Sequence, residues 1–170
     1  MTETELARLR ARLQEHRPLP VPFATDGLRR AAVLVPLLLR EEGAQLLFTV
    51  RSASLPHHAG QIAFPGGGGH DGETPERTAC REAREEVGLD VPEAALLGRL
   101  SPLPSPANYV AVPVVAALPW PARLTLDPGE VAESFTVPLR ELLNIRPTTE
   151  ERPFRGSVRV LHRYLWRDRD

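Results

Sequence analysis

The chain has 170 residues, 42% of them hydrophobic and 25% charged, which suits one soluble domain with a substantial core. Formal net charge is -1, and the near balance of 21 basic against 22 acidic residues gives no electrostatic case for a nucleic-acid or membrane-surface binder. A single cysteine, Cys80, excludes an internal disulfide framework, and the longest apolar run, Ala31 to Leu39, is far short of the ~20 residues that span a bilayer.

The N-terminal stretch MTETELARLRARLQEH carries charges throughout and lacks the apolar core of a signal peptide, which predicts a cytoplasmic protein. Within it, Leu6, Leu9 and Leu13 fall at helical spacing, so a short amphipathic helix is expected over 3–15. PLPVPF, at 18–23, ends that helix as a stiff connector. Residues 1–22 are therefore set apart from a single domain over 23–170. That domain opens with two apolar runs, AAVLVPLLL (31–39) and AQLLFTV (44–50), read as paired strands with Gly43 in the turn. QIAF (61–64) reads as a short strand running into Pro65 and four glycines.

A helix follows from Pro75 to about Val87: Thr74 suits the N-cap, Pro75 the first helical position, and Gly88 the left-handed residue past the end. ALLGRL (95–100), YVAVPVVAAL (109–118) and EVAESFTV (130–137) then read as strands between proline-rich loops. PLRELLN (138–144) reads as a short helix and SVRVLHRYLW (157–166) as a final strand. Strands outnumber helices and the two are interleaved, which predicts a mixed sheet flanked by helices, of the α/β or α+β class.

The helix after the glycines carries the chemistry. At about 100° per residue, Glu82, Glu85 and Glu86 share one arc, Ala79, Cys80, Ala83 and Val87 the next, and Arg77, Arg81 and Arg84 the third. Three carboxylates so placed repel one another, the more so beside a packing face where water screens poorly. A hard divalent cation with oxygen ligands, Mg2+ or Mn2+, relieves that repulsion and gives the adjacent glycine loop a purpose. Cys80 lies on the packing side and reads as a core filler.

Gly67, Glu73, Arg81, Glu82, Ala83, Glu85, Glu86, Gly88 and Leu89 fill the pattern G-x5-E-x7-R-E-U-x-E-E-x-G-U, where U is aliphatic. This resembles the Nudix box, with Ala83 smaller than the usual aliphatic residue. The resemblance implies a Nudix hydrolase: an α/β/α sandwich around a mixed sheet, cleaving a nucleoside diphosphate linked to another moiety. It implies that Glu82 and Glu86 are the main metal ligands, joined by Glu85 directly or through water and by the Gly67 carbonyl. Arg81 would orient the acids, with Glu73 as its ionic partner.

Upstream, LLFTVRSASLPHHAGQIAFPGG (46–67) is similar to the signature of the coenzyme A pyrophosphatase subgroup, through L-x-T-x-R-S, Leu55, His58, Gly60, Gln61 and the closing Phe64-Pro65-Gly66-Gly67. The likeness implies a small-molecule substrate, coenzyme A or a related nucleotide diphosphate, split to 3′-phospho-AMP and 4′-phosphopantetheine. Arg51, His58 and Gln61 become candidates for contacting its phosphate or pantetheine groups; the other reading is that they hold a loop against the sheet. The catalytic base stays open between the helix glutamates, Glu85 among them, and a loop acid, Glu130 or Glu133. Another Nudix substrate (ADP-ribose, a dinucleotide, a nucleoside triphosphate) and a non-catalytic nucleotide-sensing module are the alternatives. The sequence neither requires nor excludes a homodimer. Past the last strand the subgroup usually continues with Trp-Gly-x-Thr-Ala, where this chain reads LHRYLWRDRD.

Overall fold

A computed structural model describes residues 1–21, 27–105, 108–154 and 157–169; the end of the expected connector at 18–23 lies outside the described residues. The first helix, α1 (Glu3–Glu15), begins in a capping box: Thr2 accepts from the Glu5 N–H, and the Glu5 carboxylate accepts from the Thr2 N–H. β1 (Arg29–Arg40) and β2 (Gly43–Arg51) form the expected antiparallel pair, turning at Gly43 with φ +131. β3 (Ile62–Ala63) is shorter than QIAF suggested, and the glycine run itself forms β4 (Gly66–Gly68), a strand the sequence reading left as loop. Glycine is a poor strand former, so propensity hid it.

α2 (Pro75–Val87) matches the expected bounds, capped by the Thr74 hydroxyl, which accepts from the Arg77 N–H. Gly88 at φ +67 closes it, its N–H donating to Arg84 while Leu89 N–H donates to Ala83. A 3-10 turn (Glu93–Ala95), β5 (Leu96–Arg99), β6 (Leu103–Ser105), β7 (Tyr109–Pro119) and β8 (Val131–Pro138) follow, then α3 (Leu139–Asn144), β9 (Thr148–Phe154) and β10 (Ser157–Arg163). β6 and β9 were not foreseen, being short or strongly polar. β10 ends at Arg163, three residues before the expected limit at 166.

The main sheet runs β3-β2-β1-β7-β5, with β4 on β1, β6 on β7 and β8 on β2; β9 and β10 pair as a separate hairpin. β1 and β7 are parallel and the other pairings antiparallel, so the sheet is mixed. β1 lies in its middle yet contains Pro36, which has no N–H to donate. The register resolves this. β4 pairs with residues 31–33 of β1 and β2 takes over from Leu37, so Pro36 falls in the gap between two partners.

Alternation along the strands makes two cores. Ala32, Leu34, Leu38, Val114, Ala116 and Leu118 face α2 and pack on Ala79, Ala83 and Val87. Leu37, Leu46 and Val115 face the other way, toward Leu13 of α1 and the half-buried Leu139 and Leu142. Helices thus cover both faces of a mixed sheet, the sandwich that the resemblance implied. No described helix is long and apolar enough to cross a membrane.

Candidate active site

Ala79, Ala83 and Val87 set α2 against the sheet, and its acids are graded by depth. Glu86 is buried at 3% exposure, Glu82 is half-buried, and the side chain of Glu85 is 57% exposed. The sequence placed all three on the border of the packing face; the structure puts Glu86 inside it, where a helix of small alanines comes close to the sheet. One Glu86 oxygen accepts from the Gly66 N–H at 3.0 Å, and the other lies 3.7 Å from an Arg51 nitrogen. Burial is the main reason its carboxyl is pushed up to about 7, and the charges of Glu82 and Glu130 raise it further. Glu82 is raised in the same way, chiefly by burial and despite its bond to Arg81.

Gly67 has a specific reason to be glycine. A Cβ there would lie 2.5 Å from a Glu82 carboxylate oxygen, so the strand makes room for that side chain. Arg81 ties the outer part together. Its guanidinium donates to Glu73 at 2.9 and 3.1 Å, to Glu82 at 2.8 Å, to Glu85 at 2.9 Å and to the Gly68 carbonyl at 2.9 Å. Glu73 is pinned in turn by the His70 N–H and the Thr78 hydroxyl, each at 3.0 Å. Arg81 above all, with those two bonds, holds the Glu73 carboxyl down at about 2. Thr78 and the Gly68 carbonyl had no signal in the sequence; their role rests on the strand that the glycines form.

The segment before β8 closes the site from the far side. Thr125 and Asp127 N–H groups donate to the Val87 and Glu86 carbonyls, and the Glu130 carbonyl accepts from Ser52. The charge of Glu130 bears on Glu82 and Glu86, while Glu133 pairs with Arg169 at 2.6 Å. Arg51, at the end of β2, reaches the acids. His58 and Gln61 do not: the His58 ring nitrogen Nδ1 and the Gln61 carbonyl oxygen are 2.8 Å from each other. Their backbones close the loop, since Gln61 N–H donates to His58, Arg51 N–H to Gln61, and Gly60 N–H to Arg51. Cys80 is half-buried, and burial pushes its thiol up, away from nucleophile character.

As they stand, no three His, Cys, Asp or Glu side chains among the described residues converge on a single ion position. The donor set nonetheless fits a hard divalent cation. Its side chains offer only carboxylate oxygens, it crowds negative charge around a buried Glu86, and Gly67, having no side chain, lets the Glu82 carboxylate lie directly against the strand.

The NUDIX domain matches residues 28–158 of the chain. A protein of Photorhabdus laumondii named as an uncharacterized Nudix hydrolase, NudL, is 42% identical over 135 residues, covering 79% of this chain and 72% of that one. A NudL of Yersinia pestis is 42% identical over 118 residues, 69% of this chain, which spans only 59% of that relative. Among solved structures, the Nudix hydrolase RenU of M. smegmatis superposes with a TM-score of 0.56 at 25% identity, covering 69% of this chain and 75% of the other. With the acids, arginine and glycines of the motif gathered on one helix and its facing strand, the chain belongs to the Nudix hydrolase family, whose members act on phosphoanhydride bonds.

Proposed function

We propose that the protein hydrolyses the diphosphate bond of coenzyme A or a derivative, to 3′-phospho-AMP and 4′-phosphopantetheine, using Mg2+ or Mn2+. Nudix hydrolases in general use divalent ions, and the observation that carries this reading is Glu86: a buried carboxylate crowded by Glu82 and Glu130, with its nearest cation 3.7 Å away. Glu82 and Glu86 would hold the ion, with Glu85 and the Gly67 carbonyl as further ligands. When bound, such an ion neutralises the diphosphate and lowers the pKa of its water.

The chain's own groups do the rest. Arg81, held by Glu73, fixes the rotamers of Glu82 and Glu85 so that their oxygens stay aimed at one place. Arg51 brings a positive charge to the same place and offers a fork to a phosphate oxygen. For the base that takes the proton of the attacking water, Glu130 is favoured over Glu85. Glu85 is tied to Arg81 at 2.9 Å, whereas Glu130 is exposed on the turn before β8 and its charge bears on both Glu82 and Glu86. Glu130 is thus in reach of the ligand acids without being locked into their arginine clamp.

Support for coenzyme A comes from the second stretch, 46–67, whose strand ends deliver Arg51 and Gly66 to Glu86. His58 and Gln61 act in this reading by shaping that loop. The test is kcat/KM for coenzyme A, ADP-ribose and NADH with Mn2+, products identified by mass. Coenzyme A is expected to lead; a value about tenfold below either rival overturns the substrate assignment. Turnover that disappears in Glu86→Gln excludes a module that only senses nucleotide.

A further inference from the structure

On the sheet face opposite α2, a cavity of about 1050 Å3 opens between β2, β8, α3 and the C-terminal turn. Its floor is aromatic. Phe64 stacks on Phe48 with ring centroids 4.6 Å apart, Phe48 on Phe135 at 5.7 Å, and Phe135 on Trp166 at 6.2 Å, these last two planes being within 5° of parallel. Val50 and Gln61 line one end of it, and the Gln61 carbonyl accepts from the Arg51 N–H, so that end lies beside the strand end that carries Arg51 to Glu86.

The Trp166 ring has chemistry that the mechanism leaves unused. It is a planar bicycle, half-buried, lying parallel to a phenyl floor, and its N–H donates to the Glu141 carboxylate at 2.7 Å. Adenine is also a planar bicycle with a donor at its edge, the 6-amino group. We propose that Trp166 occupies the adenine subsite as a built-in competitor, and that the base of the substrate displaces it to stack on Phe135 and donate to Glu141. This rests on the reading that the diphosphate of a nucleotide lies at the acid helix.

The turn that carries Trp166 is built to leave. Its main-chain hydrogen bonds close on themselves, Trp166 N–H to the Arg169 carbonyl and Arg169 N–H to the Trp166 carbonyl, and among the described residues none joins 164–169 to the sheet. Its side chains hold the body through the Trp166 stack on Phe135, Trp166 to Glu141, Arg169 to Glu133 and Arg169 over the Phe135 ring at 4.2 Å; the ion pair is exposed, and such pairs hold weakly. Arg167 at its tip has φ +55, a left-handed conformation uncommon for a non-glycine residue. Displacement also frees Arg169, beside the cavity, to meet a phosphate on the ribose.

Trp120→Phe leaves Trp166 as the single tryptophan of the chain. Its emission is followed in EDTA while coenzyme A, adenosine 3′,5′-bisphosphate or 4′-phosphopantetheine is added. The two adenine-bearing ligands are expected to shift it saturably, and phosphopantetheine to leave it unchanged. Separately, Trp166→Ala should lower KM for coenzyme A about threefold or more at unchanged kcat, because a competitor for the site is gone. Added to Trp166→Ala, where no indole depends on it, Glu141→Ala should raise KM again by removing the acceptor for the base. No emission response to the adenine ligands, a response to phosphopantetheine alone, or an unchanged or raised KM in Trp166→Ala overturns the proposal. If the wild-type protein cleaves no diphosphate, the hydrolase reading fails instead, and the emission titration decides the Trp166 assignment by itself.

Discussion

Glu86→Gln separates the cost of a buried charge from its use. In the metal-free protein the Glu86 carboxyl is raised from 4.5 to about 7, mainly by burial, with the attraction of Arg51 already counted. A group raised in this way contributes its full stability below pH 4.5, where it is protonated folded or unfolded, and loses it as pH rises through about 7. At about 1.4 kcal/mol per pH unit, that rise corresponds to about 3 kcal/mol. Glutamine is neutral at every pH and keeps a carbonyl to accept from the Gly66 N–H. In EDTA at pH 8 the variant should therefore be more stable than the wild type by up to about 3 kcal/mol, a Tm higher by up to about 6 to 12 °C. The difference should shrink toward zero by pH 4.5. Thermal unfolding in EDTA across that range measures both. The same variant should lose at least about two orders of magnitude in turnover with Mn2+, and Mn2+ should raise the Tm of the wild type alone. A variant that is less stable at pH 8, or whose gain does not depend on pH, refutes the reasoning that burial of this charge is what the fold tolerates for a cation.

Three further outcomes follow from the same geometry. Gly67→Ala places a Cβ 2.5 Å from a Glu82 oxygen, so kcat should fall by about tenfold or more with the circular dichroism spectrum unchanged. Glu73→Gln removes the main partner of Arg81, and single-turnover rates should drop while substrate affinity by equilibrium dialysis holds. Because the Glu73 carboxyl is held down at about 2, its contribution to stability is present above pH 4.5 and lost as pH falls through about 2, so the glutamine variant should unfold at higher pH during acid titration. Gly88→Ala forces φ +67 on a side chain whose Cβ meets Thr125 at 3.0 Å, and should cost about 1 to 2 kcal/mol in urea unfolding.

Much of the site was legible in one dimension because a helix converts spacing into geometry. Thr74, Pro75 and Gly88 mark both ends of α2, and its 3.6-residue period already puts Glu82, Glu85 and Glu86 on one side of it. Apolar runs bounded by glycine, proline and polar turns likewise made β1, β2 and β7 readable. What lies between segments distant in the chain was not. That Glu86 rather than Glu85 is the buried acid depends on how closely alanines let α2 approach β1, and that Glu133 is taken up by Arg169 depends on how the C-terminal turn meets β8. The polyglycine strand, the His58–Gln61 pair and the stack from Phe64 to Trp166 are of the same kind. Residue types and local periods specify which chemistry is on offer, whereas depth, desolvation and partner choice arise only when separate strands and turns exclude water from the same small volume.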